Sequence, residues 1–236
     1  MFGLNLKLGD TNAYLVGNNC KFVGHDLDGK LSWQGHIQHI SKKLSSANFA
    51  INSTKNFLPL KIRRTLYFSL FDSHLNFGNL LWGCASNKMT SKIETLQKRC
   101  IRNVSLSHFR AHTEPIFKNL SILKYSDKII FCRSVFMNLY RNKKLPESFL
   151  NKFTDITSTD NLQTRHNDYN YINLPAIRRN LENFPYKCLG RTWNCLNIDV
   201  KSTANKTDFE KLLKETLLSN YNTDVQCDDG CFCCKI

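Results

Sequence analysis

A helix that is apolar on nearly every side constrains the fold of this chain more than any other feature. Residues 61–85 place Tyr67, Phe71 and Trp82 among leucines, and charged side chains are concentrated at the start of the segment. A helix without a polar face has to be surrounded by protein, so this pattern predicts a central, buried helix. Gly78 in its second half is predicted to kink or break it.

The helix that follows is predicted to have one apolar and one basic face. Its apolar face consists of Met89, Ile93, Leu96, Cys100 and Val104. Ser91 and Glu94 stand at capping-box spacing and predict a start near Ser91. The opposite face carries the cations Lys92, Lys98, Arg99 and Arg102. Cations along one face suit contact with successive phosphates, so we expect these four to bind nucleic acid, with Arg63 and Arg64 next.

The positive charge of the chain is concentrated around these helices. The formal net charge is +14, and residues 61–144 hold 16 Lys and Arg against 4 Asp and Glu. Residues 145–236 hold 11 against 12. A generally basic composition would spread the excess, whereas a phosphate-binding surface would concentrate it. The pattern favours a polyanionic partner, nucleic acid first, and the alternative is a solvated lysine-rich face without a ligand.

The remaining patterns predict a mainly α fold with a small N-terminal β element, an α+β chain built around a helical bundle. Leu4, Leu6 and Leu8 alternate with polar residues, as in a half-buried strand. A turn is predicted at Asp28-Gly29 and a helix N-cap at Ser32. The predicted division is 1–31, short strands; 32–150, a helical domain; 151–175, a linker; 176–222, a small C-terminal unit; and 223–236, a Cys-rich tail.

Several function classes leave no trace in the sequence. The start shows no basic segment followed by an apolar run, and the most apolar stretch is interrupted by polar residues. We therefore expect an intracellular protein, nuclear or cytoplasmic, with no membrane partner. No phosphate-binding glycine loop, dinucleotide motif or Gly-x-Ser-x-Gly nucleophile motif is present, so no small-molecule substrate is indicated.

The C-terminal tail carries the strongest candidate metal ligands. Cys227, Cys231, Cys233 and Cys234 form a C-x3-C-x-C-C cluster. Cys227, Cys231 and Cys234 are the predicted zinc ligands, since adjacent cysteines rarely both reach one tetrahedral ion. A flexible tail of free thiols is the favoured interpretation of this cluster, because its ligand spacing is unusual for zinc. His36 and His39 are spaced as half a metal site on a helix, but a structural or surface role is favoured because ligand sets need three or four members.

A series of short motifs resembles one family. In order they are Val23-Gly24, Asp28, Lys30-Leu31-Ser32-Trp33 with His36-Ile37, Thr65-Leu66-Tyr67, Ser73-His74-Leu75-Asn76-Phe77-Gly78, Trp82-Gly83, Leu96-Gln97-Lys98-Arg99, Thr113-Glu114-Pro115 and Trp193-Asn194. Their order and spacing resemble the region C-terminal to the catalytic palm in reverse transcriptases of non-LTR, jockey-like retrotransposons. His25 departs from the pattern, where an apolar residue is usual.

The resemblance implies a thumb-like helical region that grips the backbone of an RNA or RNA–DNA duplex. It also implies an aromatic-x-Asp-Asp turn that holds two metal ions, and we expect that site to lie outside this chain. The one Asp-Asp pair, Asp228-Asp229, stands within the cysteine cluster rather than between apolar strands. We therefore predict no catalytic residue and no resident cofactor, with magnesium belonging to the absent palm. Whether the chain is itself an enzyme stays open.

Two other functions stay open at this point. The chain could be a self-standing helical interaction module whose basic face meets an acidic protein. It could also be the product of a degenerate element without a selected role. Retention on heparin with release by moderate salt would favour nucleic acid over either alternative.

Overall fold

A computed structural model describes residues 5–8, 11–14, 19–28, 31–149, 152–153, 172 and 185–221. The chain forms two compact units, Met1–Leu106 and Ser107–Ile236, which we call the N-terminal and C-terminal units. The boundary between them falls within the segment predicted as one helical domain. The fold class is confirmed, because the described part of the chain is mainly helical with short antiparallel strands near its start.

The strands form two separate antiparallel hairpins. They are β1 (Asn5–Leu8) with β2 (Thr11–Tyr14), and β3 (Asn19–Phe22) with β4 (His25–Asp28). Phe22 pairs with His25, so the second hairpin turns at Val23-Gly24, where φ is 45° and 76°. Two positive φ values at a two-residue loop are typical of a type I′ turn. At the end of β4 the N–H of Leu31 donates to the carbonyl of Asp28 at 2.9 Å, and the Asp28 carboxylate accepts hydrogen bonds from Ser32. Gly29, the other residue of the turn predicted at Asp28-Gly29, lies outside the described residues.

Helix α1 (Gln34–Thr54) confirms the apolar stripe expected after the strands. Its buried apolar residues are Ile37, Ile40, Leu44, Ala47 and Ile51. The helix begins two residues after the predicted N-cap, because Trp33 adopts a left-handed φ of 63° at the N-cap position. Ser32 still accepts a hydrogen bond from the backbone N–H of Gln34 at 3.4 Å.

The predicted central helix consists of four segments, of which the first three are continuous. They are α2 (Leu60–Leu66), a π-helical segment (Tyr67–Asp72), α3 (Ser73–Asn76) and α4 (Asn79–Trp82). In the π segment the N–H of Ser73 bonds to the carbonyl of Phe68, five residues back. This wider turn brings both Phe71 and Asp72 into the interior. The predicted break at Gly78 is confirmed, with a φ of 63°.

Burial on all sides, however, was a wrong expectation for this segment. Tyr67, Phe71, Leu75 and Trp82 are fully buried, but a second set of apolar side chains is exposed. The exposed set is Ile62, Phe68, Leu70, Phe77 and Leu81. The segment therefore covers the core with one side only.

Helix α5 (Asn87–Ser105) packs along α1 and completes the N-terminal unit. It begins four residues before the predicted Ser91. Ser86 stands at the N-cap, and the Ser91 hydroxyl instead donates to the carbonyl of Lys88 inside the first turns. The capping-box pattern at Ser91 and Glu94 therefore lies within the helix.

The C-terminal unit is also helical. Its elements are α6 (Thr113–Asn119), α7 (Tyr125–Arg141), a 3-10 turn (Glu147–Phe149), α8 (Pro185–Asn194), α9 (Ile198–Lys201) and α10 (Lys206–Ser219). Helix α7 packs against both α8 and α10. Trp193 and Phe209 stack in the core with ring centroids 6.3 Å apart.

Asn194 ties a distant strand-like residue to this core. Its side-chain oxygen accepts from the N–H of Ile172 at 2.9 Å, and its side-chain amide donates to the carbonyl of the same residue at 3.0 Å. In the Trp193-Asn194 pair, the first residue is thus buried in the core and the second binds the backbone of Ile172. In the part of the chain that the structure describes, no helix combines the length and the apolar character needed to cross a membrane.

Candidate nucleic-acid interface

Helix α5 separates its apolar and basic residues onto opposite faces, as the sequence predicts. Ile93, Cys100, Ile101 and Val104 are fully buried, and Leu96 is nearly so. Along the other side Lys92, Lys98 and Arg99 are exposed and Arg102 is half-buried. The helix therefore presents its cations outward because its apolar stripe is held against the core.

Lys88 extends the same face and was missed by the sequence prediction. It is exposed and lies four residues, one helical turn, before Lys92. The late predicted start of the helix hid it, although the i, i+4 spacing of the two lysines was visible. We call Lys88, Lys92, Lys98, Arg99 and Arg102 the basic face. At 1.5 Å per residue this face is about 21 Å long, a length over which one duplex strand carries about six phosphates.

Four of the five cations on the basic face lack a carboxylate partner among the described residues. Within the described residues, Lys88, Lys92, Lys98 and Arg99 have no salt-bridge partner. Burial and the nearby Arg99 lower the pKa of Arg102 from its ordinary value, which shows that the cations repel one another. An arginine nevertheless stays charged in proteins. A bound polyanion would relieve this repulsion, whereas water and salt only screen it.

Polar contacts on the inner side hold α5 in register with its neighbours. The Gln97 side-chain amide donates to the hydroxyl of Tyr67 at 2.9 Å, and both residues are buried. Asn103 donates to the side chain of Asn48 at 2.9 Å and accepts from the Lys55 ammonium at 3.1 Å. Because these bonds fix the rotation of α5 about its axis, the direction of its basic face is fixed too.

Arg63 and Arg64, the other predicted phosphate contacts, occupy different environments. Arg63 is buried, and its Nη1 donates to the carbonyl of Lys55 just beyond the end of α1. A cation suits a helix C-terminus, where carbonyl groups lack partners. Arg64 is half-buried, with its guanidinium carbon 5.0 Å from the centroid of Phe68. The structure thus brings Arg63 to the interior and leaves Arg64 nearer the surface.

The predicted zinc ligands Cys227, Cys231 and Cys234 lie outside the described residues. Among the residues that are described, no group of three or more histidine, cysteine or carboxylate side chains is arranged to hold a metal ion. Zinc binding by the tail stays a prediction.

His36 is a buried member of an aromatic cluster. Its ring lies 4.9 Å from that of His25 and 5.9 Å from that of Trp82, centroid to centroid. Its Nδ1 accepts from the backbone N–H of Asp26 at 3.3 Å. Burial, assisted by the neighbouring His25, lowers the pKa of His36 to about 4. His36 is therefore neutral at pH 7 and packs as an uncharged ring.

His25, the departure from the family pattern, also packs in this cluster. Its ring contacts Phe77 edge-on at 4.8 Å between centroids. Gly78 lies directly beneath it, since a Cβ atom there would approach His25 Nε2 to 1.9 Å. A glycine is therefore needed at position 78 for two reasons, the left-handed φ and the close approach of His25. His25 itself packs as a core side chain.

Comparison with known proteins identifies one similar protein. The "RNA-directed DNA polymerase from mobile element jockey" of Drosophila melanogaster is 28% identical to this chain over 113 residues. The resemblance predicted from the motifs is confirmed. The match covers 46% of this chain and 12% of the jockey protein, so the chain spans a small part of its relative. The chain matches no protein-family model, and no solved structure matches it.

The structure gives physical roles to several of the motif residues that the sequence singles out. Trp33, Trp82 and Trp193 are all buried, so they are core anchors rather than surface platforms. Gln97 bonds inside the N-terminal unit, while the next two residues of the same motif, Lys98 and Arg99, face outward. The motif therefore combines one positioning residue with two cations.

Proposed function

We propose that this chain is a nucleic-acid-binding region related to non-LTR reverse transcriptases, and that the basic face of α5 grips the backbone of an RNA or RNA–DNA duplex. The observation that carries the proposal is the basic face itself: four exposed cations and one half-buried one on a single rigid helix. The similarity to a jockey RNA-directed DNA polymerase supports the choice of nucleic acid as the polyanion.

The geometry favours recognition of backbone rather than bases. A straight row of cations about 21 Å long contacts phosphates, which carry no sequence information. An A-form duplex also hides its base edges in a deep, narrow groove. We therefore expect binding that depends on duplex shape, tolerates sequence changes and weakens steeply with salt.

No catalytic residue is assigned to this chain under the proposal. Nucleotidyl transfer by two metal ions needs carboxylates held close together, and the sequence has no aromatic-x-Asp-Asp turn to supply them. Binding is the part of a polymerase's work that the basic face could perform.

The test is the salt dependence of duplex binding by a variant with two cations removed. Lys98→Gln with Arg99→Gln deletes two neighbouring exposed charges from α5. We expect weaker binding of a blunt 16-base-pair RNA duplex and a slope of log affinity against log salt that is flatter by about two, because each lost phosphate contact removes roughly one unit. Fluorescence anisotropy at salt concentrations from about 50 to 200 mM measures both the affinity and its salt slope, because affinity changes strongly over this range.

A matched control separates position from net charge. Lys143→Gln with Lys144→Gln removes the same charge from two adjacent exposed lysines after α7. The control should bind the duplex like the wild type. Equal losses in the two variants would mean that net charge alone drives binding, and unchanged binding by the α5 variant would refute the proposed interface.

A second candidate function rests on a different observation. The exposed apolar side chains Ile62, Leu70, Phe77 and Leu81 would suit a helical protein-interaction module. An acidic polypeptide such as poly-glutamate tests this alternative against the duplex. Tighter binding of the polypeptide than of RNA at equal charge and salt would favour the interaction module.

A further inference from the structure

The turn between α5 and α6 displays an aromatic ring to solvent. Phe109 is 68% exposed, although phenylalanine is normally buried. The residues on either side, His108 and Arg110, are both exposed or nearly so. Turns between helices usually consist of polar residues, so an exposed aromatic ring at this position is unusual.

The backbone beneath the ring is held by its own hydrogen bonds. The N–H of Ala111 donates to the carbonyl of His108 at 3.0 Å, and the N–H of Arg110 donates to His108 Nδ1 at 3.3 Å. Ala111 is 5% exposed and fixes the end of the turn to the C-terminal unit. The turn is thus a built structure that directs Phe109 outward.

A guanidinium group and an imidazole ring lie against the Phe109 ring. The Arg110 guanidinium carbon is 5.1 Å from the Phe109 centroid, within cation–π range. The His108 ring lies 4.4 Å away, tilted by 48°. With both neighbours in place, Phe109 is still 68% exposed. Most of the surface of its ring therefore remains open to a further partner.

Two phenylalanines of similar or greater exposure lack this arrangement, and Phe68, which has the Arg64 guanidinium 5.0 Å from its centroid, is only 38% exposed. Phe49 on α1 is 72% exposed and Phe57 is 86% exposed. Among the described residues, neither ring has a cation positioned over it. The His108–Phe109–Arg110 cluster is therefore distinguished by its neighbours and by its fixed turn, rather than by exposure alone.

We propose that Phe109 is a stacking platform for an unpaired base of single-stranded nucleic acid, with Arg110 beside it to meet the adjoining phosphate. A base offers a flat π surface and its phosphate offers an anion, the two chemistries that this cluster presents together. Paired bases inside a duplex have no free face, and an acidic peptide has no π face. The inference rests on the proposed function and adds a second ligand to the duplex, namely single-stranded nucleic acid.

The experiment compares single-stranded and duplex RNA on the full chain. Phe109→Leu keeps an apolar side chain of similar size but removes the π face, and Phe49→Leu is the control with matched exposure. We expect Phe109→Leu to weaken binding of a 12-nucleotide poly(U) strand by at least about fivefold, since stacking on an aromatic side chain stabilises each base appreciably. Binding of the blunt duplex should change by less than about twofold, and Phe49→Leu should alter neither.

A direct signal for stacking comes from Phe109→Trp. The three native tryptophans are buried, so the new indole is the exposed one. Poly(U) should quench its fluorescence, while the blunt duplex and poly-glutamate should leave it unchanged. Absence of quenching, or equal quenching by poly-glutamate, would overturn the stacking platform.

The outcomes separate this inference from the proposed function. If Phe109→Leu binds poly(U) like the wild type while Lys98→Gln with Arg99→Gln still weakens duplex binding, the platform alone fails. If removal of the α5 cations has no effect while Phe109→Leu weakens poly(U) binding, the duplex interface fails and the platform stands. A parallel loss of both ligands in Phe109→Leu also overturns the platform, because a ring that stacks on unpaired bases should not affect binding of the blunt duplex.

Discussion

At the tip of the second hairpin, one residue adopts a conformation that its side chain disfavours. Val23 has a φ of 45° and is 70% exposed, so its side chain gains little from packing. A β-branched residue at positive φ is strained by contact of its branched Cβ with the backbone. Type I′ turns prefer asparagine or aspartate followed by glycine, and Gly24 already supplies the second position.

Val23→Asn is therefore expected to stabilise the N-terminal unit. Asparagine tolerates the left-handed region, so the free energy of unfolding should rise by about 1 kcal/mol, within the usual range for relieved backbone strain. Urea unfolding followed through Trp33 and Trp82, both buried in this unit, measures the change. Val23→Ala is the control, because alanine removes the branched Cβ but, unlike asparagine, does not favour the left-handed region. Equal gains in stability from both variants would contradict the role of the turn.

The buried histidines predict how stability depends on pH. His36 has a pKa of about 4 in the folded chain, against about 6.5 when unfolded, with burial as the main cause. Between these values the unfolded chain binds the extra proton, so stability falls as pH falls from about 6.5 to 4. The groups that set this pKa are the neighbouring His25, Asp26, His39 and Lys43.

The expected loss of folding free energy is about 1.5 kcal/mol between pH 6.5 and 5 from His36 alone. Thermal unfolding of the wild type and of His36→Gln at a series of pH values measures it. The glutamine variant is expected to be less stable at pH 7 but to show a flatter pH dependence over this range. Parallel pH profiles for the two proteins would show that His36 does not control acid sensitivity.

At the level of elements, periodicity predicted the faces of α5 but not its start. The apolar and basic residues follow a 3.6-residue repeat, which is local in sequence and survives folding unchanged. The helix boundary depends on capping, and the pattern at Ser91 was matched by chance inside the helix. The same error removed Lys88 from the predicted basic face.

The central segment shows why composition alone could not predict burial. Its leucines and aromatic residues would fill every side of a regular helix, but the π turn at Tyr67–Asp72 and the break at Gly78 redirect the faces. Phe77 and Leu81 consequently remain 52% and 44% exposed, although one side of the Phe77 ring packs against His25. A π turn has no sequence signature as clear as a proline or glycine. The change in which side chains face the core could therefore not be predicted from the sequence.

Tertiary contacts explain the remaining differences from expectation. His25 packs against Gly78, 53 positions along the chain by residue number, and no local pattern contains that contact. Arg63 likewise turned inward because the end of α1 lies beside it. Contact with nucleic acid stays a prediction for all the candidate cations of α5 and α2.

At the scale of the whole molecule, the two structural units differ in net charge. Residues 1–106 carry 14 Lys and Arg against 5 Asp and Glu, and residues 107–236 carry 19 against 14. The N-terminal unit is thus the more basic of the two and also contains the basic face of α5. A duplex that binds through this face should therefore stabilise one unit preferentially.

Hydrogen exchange can test this division directly. A ligand that binds only the folded form stabilises it by about 2.7 kcal/mol at a hundred times its Kd, and the gain belongs to the cooperative unit that holds the ligand. With saturating blunt duplex, amides of α1 and α5 should exchange more slowly, while those of α7 and α10 should change little. Lys98→Gln with Arg99→Gln should lose this protection at the same duplex concentration. Equal protection of α10 would place the duplex on a surface other than the basic face, or show that the two units unfold together.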